Sequence, residues 1–138
     1  MFEQFMKKNK IKKENKKYAV TQSLKDENKK ALEWEFKAIS PGENDRIRED
    51  NTREIPLKNG LYKQKINTTN YLADLIIACT VYPNLHDKAL QDSYGVYNAR
   101  DLLFELVDNV GEYTALSTFI QELNGFNNLS EEVEIAKN

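Results

Sequence analysis

The sequence predicts an α+β fold that is mostly helical, an N-terminal β-hairpin followed by a bundle of four to five helices. Three observations carry this. Leu32, Trp34, Phe36 and Ala38 alternate with Glu33, Glu35, Lys37 and Ile39, the period of a half-buried strand. Between Asn67 and Tyr82 the residues are apolar nearly all round a helix. From Asn98 to Leu123 two further stripes recur at helical spacing.

Taken in order, residues 1–17 hold seven lysines and two glutamates, and between Lys7 and Lys17 only Ile11 is apolar. Such a segment cannot bury enough surface to offset its ordering entropy, so it reads as a basic, largely mobile arm with at most a helical turn over Phe2–Lys8. Residues 18–138 read as a single domain. Tyr18, Val20 and Gln22 alternate with Ala19, Thr21 and Ser23, and a polar turn, Lys25 to Lys30, leads into the strand at Leu32. The two form an antiparallel hairpin, with Trp34 expected in the core.

Ser40-Pro41-Gly42-Glu43 is a capping box with proline at the first helical position. The helix it starts, through Arg53, has Ile47 as its one large apolar residue and reads as a surface helix. Lys58-Asn59-Gly60, flanked by Ile55, Leu57, Leu61, Tyr62 and Ile66, leaves open a second short hairpin or an extended loop, with Pro56 confined to an edge.

The helix at 67–82 is central. Leu72, Leu75, Ile76, Cys79 and Tyr82 lie on one face, and Ala73, Ile77, Ala78 and Val81 fill most of the rest. At roughly twelve residues before Pro83 it is too short for a bilayer, which needs about twenty. Its one strongly polar residue, Asp74, reads as a rim carboxylate that bonds a neighbouring loop or pairs with a Lys or Arg, the alternative being a buried acid of raised pKa.

Asp87 caps a short helix over Lys88–Ser93, which Gly95 ends. Asn98 caps the next, with Leu102, Leu103, Leu106, Val107 and Val110 as its stripe and Phe104 on the other side. After a bend at Gly111, Tyr113, Leu116, Phe119, Ile120 and Leu123 form one stripe, Asn124-Gly125 stops the helix, and Phe126 packs beyond it. Ser130 with Glu131, Glu132 and Glu134 can start a terminal helix.

The formal charge of -2 hides an asymmetry: +5 on residues 1–17, and 13 basic against 20 acidic residues, a formal -7, on the remainder. The arm suits phosphate contacts, so a nucleic-acid-binding accessory role is the alternative function, but an acidic body repels a polyanion. One cysteine excludes an internal disulfide, and no signal-peptide segment appears. Catalysis finds little support. His86 is the only histidine, Cys79 sits in a core stripe without a basic neighbour, and no phosphate loop or nucleophile elbow is present.

Two stretches carry a more specific signal. Ala78-Cys79-Thr80-Val81-Tyr82-Pro83-Asn84-Leu85 follows Asn70-Tyr71-Leu72, and Leu90-Gln91-Asp92-Ser93-Tyr94-Gly95-Val96 comes after it. With Glu33-Trp34-Glu35-Phe36, Gly111-Glu112-Tyr113 and Asn124-Gly125-Phe126, the sequence resembles the XkdN-like tail assembly chaperones of phages and of defective prophages of Bacillus and its relatives, over roughly residues 17–137. The resemblance implies a non-enzymatic protein of the bacterial host cytoplasm, without cofactor or metal. Such a protein keeps the tape-measure protein soluble until the tail tube polymerises around it, and is absent from the finished particle. It allows self-association and contacts with other tail proteins. An apolar groove is the natural holder of a helical client, and Tyr94, Val96, Tyr97 and Phe104, lying between or beside the core stripes, are the expected contacts unless they pack under the last helices. No nucleic acid or membrane is expected as a partner.

Overall fold

In the computed structural model, which describes residues 1–126, the central helix is α2, Thr68–Cys79. The Asn67 side chain caps it, accepting from the Asn70 amide at 3.0 Å. Tyr71, Ala73, Leu75, Ile76 and Cys79 are buried, with α1 (Pro41–Asp50), α4 (Ala99–Leu106) and α5 (Val110–Leu123) packed around it. This is the covering on several sides that an all-round apolar helix requires.

The helix does not run to Tyr82. Thr80–Tyr82 forms a strand, β5, hydrogen-bonded to β2 (Glu33–Phe36), and the Lys37 amide donates to the Cys79 carbonyl at 2.8 Å. Two causes act together. The residue before a proline is pushed out of the helical region, and Thr80 and Val81 are β-branched. Tyr82, expected on the helix's buried face, is exposed instead. The sheet has the order β1-β2-β5, all antiparallel, with β1 at Lys16–Ala19.

The predicted hairpin is present, in the register Lys16↔Phe36 to Ala19↔Glu33, and Trp34 and Phe36 are buried. Its strands are shorter at the turn end than the alternation suggests, which corrects two placements. Leu32 precedes β2 and is exposed, and Thr21, beyond β1, is buried while Gln22 is not. The Thr21 hydroxyl donates to Glu112 Oε1 at 2.7 Å and the Gln22 amide to Oε2 at 2.8 Å, fastening the loop to the first turn of α5. These two bonds hold the Glu112 carboxyl below its usual range.

Ser40 caps α1 through the Glu43 amide, but α1 ends at Asp50, because Asn51 closes its last turn and the chain enters β3 (Thr52–Pro56). β3 pairs with β4 (Tyr62–Ile66) from Thr52↔Ile66 to Pro56↔Tyr62, so the second hairpin exists as a separate two-stranded sheet. Gly60 takes the φ of 78° that its turn needs.

Asp87 caps α3 (Lys88–Ser93), and Asn98 caps α4, through the amides of Leu90 and Asp101. Leu102, Leu103, Leu106 and Val107 are buried as the stripe predicts. Val110 is not: it is the first residue of α5, behind the cap at Asn109, and is 83% exposed. On α5, Leu116 and Ile120 are fully buried, and Tyr113, Phe119 and Leu123 pack against the core half-buried. Phe119 ties three elements together, stacking on Tyr18 at 4.5 Å and meeting Phe36 edge-on at 5.5 Å. Phe126 packs against the core past the stop at Asn124-Gly125. The helix expected from Ser130 lies outside the described residues.

Asp74 is a rim carboxylate paired with an arginine. It accepts from Arg100 Nε at 2.7 Å and Nη2 at 2.8 Å and from Asn51 Nδ2 at 3.0 Å, and Asn51 Nδ2 also donates to the Ile47 carbonyl at 2.9 Å. One carboxylate thus joins α2, α4 and the end of α1.

Candidate functional site

Strand β5 forms an open edge of its sheet, and beside it lies an apolar groove of about 470 Å³. Val81, Tyr82 and Pro83 form one wall, Leu90 and Tyr94 of the α3 segment another, and Leu24 and Leu32 from the first hairpin a third, with Trp34 and Leu106 also lining it. Glu33, Asn84 and Asp87 supply a polar rim. Val81 and Leu32 are each 41% exposed, so the apolar walls are accessible.

Local chemistry holds this shape. The break at Pro83 turns the chain out of β5, and the Asn84 side chain accepts from the His86 amide at 3.0 Å. Gln91 Nε2 donates to the Leu85 carbonyl at 2.9 Å, tying α3 to the loop before it, and Leu85 is buried as the anchor. Backbone bonds from Gly95 to Asp92 and from Val96 to Gln91 then close the end of α3.

The four expected contact residues do not share one surface. Tyr94 lines the groove, half-buried. Val96 packs against the core. Tyr97 stands 92% exposed in solvent. Phe104, 40% exposed, lies elsewhere, its ring 5.4 Å from that of Tyr113. Sequence reading missed Leu24, Leu32 and Leu90 as groove residues, and it placed Val81 and Tyr82 on a helix. The available signal was the Tyr82-Pro83 pair, which biases Tyr82 away from the helical region towards extended backbone.

Phe104 borders a second concavity, lined by Ile47, Asp74, Ile77, Arg100 and Asp101 with His86 at its edge. Two of its charged groups are spent on each other, since the Asp74–Arg100 pair is bidentate. Cys79 is fully buried, accepts from Asn124 Nδ2 at 3.3 Å, and burial pushes its thiol pKa up, the opposite of thiolate activation. Among the described residues no group of three His, Cys, Asp or Glu is placed to hold a metal, and no helix is long and apolar enough to cross a membrane.

Comparison with known proteins agrees with the resemblance. The family described as phage XkdN-like tail assembly chaperone protein matches residues 2–137, so the match takes in the lysine-rich arm that the motifs left out. The chain is 27% identical over 101 residues to the uncharacterized protein YqbN of Bacillus subtilis (strain 168), covering 73% of this chain and 68% of that one. It also superimposes on a crystal structure of the protein YqbN with a TM-score of 0.74 and 21% identity, covering 90% of this chain and 95% of that one, a likeness of fold.

Proposed function

The chain belongs to the phage XkdN-like tail assembly chaperone family, and from that premise we propose that it binds the tape-measure protein in the host cytoplasm and keeps it soluble until the tail tube closes around it. A tape-measure protein is a long helical chain with apolar faces, and before the tube forms those faces are open to water. The apolar stripe of one such helix fits a groove with accessible apolar walls and a polar rim.

One observation carries the reading. The two most specific stretches of the family resemblance, Ala78 to Leu85 and Leu90 to Val96, contribute Val81, Tyr82, Pro83, Asn84, Leu90 and Tyr94 to the walls and rim of the β5 groove. Leu32 and Val81 stay partly exposed there although Trp34 and Leu106, which line the same groove, are buried. Release from such a site is easy, because a groove of about 470 Å³ covers only a short length of helix. Many weak contacts along a client hold it in solution and can be stripped as the tube advances.

Affinity capture of the tagged chain, co-expressed with a cognate tape-measure protein, tests this. The tape-measure protein is expected to elute with the chain, and its absence from the eluate would overturn the proposal.

A further inference from the structure

Helix α2 is flanked by α1 and α4, which leave one of its stripes incompletely covered. Asn70, Asp74, Ile77 and Ala78 follow the i, i+4, i+7, i+8 spacing of a single helical face, and all four are half-buried. They floor the second concavity, of about 570 Å³, in which Ile47 and Asp50 of α1 make one wall and Arg100, Asp101 and Phe104 of α4 the other. A trough floored by one helix and walled by two others is the shape left when a helix is missing from a bundle. From Asn70 to Ala78 it runs for about 12 Å, long enough for two turns of such a helix.

The apolar part of the trough is accessible, since Ile47, Ile77 and Ala78 are half-buried and Phe104 is exposed. The unspent charge is negative. The Arg100 guanidinium is held by Asp74, whereas Asp50 and Asp101, one on each wall, have no ion pair among the described residues. Three carboxylates against one guanidinium leave a formal -2. The β5 groove has the same plan, with Glu33 and Asp87 as the charged residues of its lining. The two concavities lie on either side of one loop: Pro83, Asn84 and Asp87 border the β5 groove, and His86 borders the trough.

This composition discriminates among helices. An apolar floor favours an apolar stripe, and a carboxylate on each wall favours a cation on each side of that stripe. A helix flanked by acids would set like charge against like on both walls, which disfavours it even when its apolar stripe is the same.

We propose that the trough between α1 and α4 is a second docking site for the client of the β5 groove, and that it takes a helical segment with Lys or Arg on both sides of its apolar stripe. This rests on the reading of the β5 groove as a client site. A client chain that crosses loop 83–87 engages both, and each contact then raises the effective concentration for the other.

Amide chemical-shift mapping of the full chain by NMR, titrated with designed helical peptides of about 18 residues, tests this. Two peptides share a leucine stripe, flanked by lysine in one and by glutamate in the other. The lysine peptide is expected to shift the amides of Ile47, Ile77 and Phe104 as well as those of Leu32 and Val81, and to bind the trough at least about fivefold more tightly than the glutamate peptide. Asp50→Asn/Asp101→Asn changes only exposed side chains and is expected to remove that preference in the trough alone. Shifts confined to Leu32 and Val81 would overturn this proposal and leave the β5 groove standing, whereas no shift at either place would overturn both. A glutamate peptide that binds the trough as tightly, or a preference that survives Asp50→Asn/Asp101→Asn, would also overturn it. So would tighter binding there of a peptide of residues 1–17, which would assign the trough to the chain's own arm, or the same shifts on concentrating the free chain, which would assign it to a second copy.

Discussion

Trp34→Ala is expected to lower the free energy of unfolding by about 3–5 kcal/mol, a large share of the stability of a domain this size. Trp34 is 2% exposed on β2, the middle strand of the three-stranded sheet, and its ring stacks against Phe36 at 6.1 Å. Its inward side is set by a clean alternation in which Glu33 faces solvent and Phe36 is fully buried. A middle strand cannot swing outward to fill the cavity, because β1 and β5 hold both of its edges. Urea unfolding followed by circular dichroism measures the loss, and a value under about 1 kcal/mol would contradict the inward placement.

Asp74→Ala is the second large effect, expected to cost about 2 kcal/mol. It removes the bonds from Arg100 and Asn51 together, and bonds to a charged group contribute about 1.5–3 kcal/mol. The Arg100 side chain is 40% exposed, so water replaces part of what is lost and keeps the cost within that range.

The same site gives a pH dependence. Burial acts to raise the Asp74 pKa, but the bonds from Arg100 and Asn51 and the guanidinium charge outweigh it, and the carboxyl lies below its ordinary value. A carboxylate with a depressed folded pKa contributes stability that is whole above the unfolded value, about 3.9, and is lost as pH falls through the folded one. The stability gap between the natural chain and Asp74→Asn should therefore be wide at pH 7 and shrink below about pH 4. An equal gap at pH 7 and pH 3 would contradict the pairing.

Local chemistry made much of the fold legible. Ser40, Asp87 and Asn98 cap the helices they were expected to cap, and Asn59-Gly60 turns a hairpin. A cap or a tight turn is decided within four residues, so a single stretch contains its cause. The pairing of Asp74 was legible as a need for a partner, while the partner itself, Arg100, lies 26 residues on.

Long-range pairing hid the rest. Thr80–Tyr82 continues the apolar pattern of α2; Pro83 and the β-branched pair end the helix locally, but the strand's partner, the edge of β2, lies more than forty residues earlier. Val110 continues the α4 spacing, but the cap at Asn109 starts a new helix and turns it outward. Thr21 is buried for the sake of Glu112, 91 residues away. The groove suffered most. Its walls come from the first hairpin, β5, α3 and the end of α4, and no periodicity within one segment marks Leu24 or Leu32 as part of the surface that Tyr94 also lines.

Solubility of a co-expressed tape-measure protein tests the central claim most directly, measured without the chain, with the natural chain, and with Val81→Asp, whose folding is checked by circular dichroism. Val81 is 41% exposed on the wall of the groove, and a charge there meets the apolar stripe of a docked helix. The account predicts that the natural chain moves the tape-measure protein into the soluble fraction and that folded Val81→Asp leaves it in the pellet. A natural chain without effect, or a Val81→Asp chain as effective as the natural one, would contradict it.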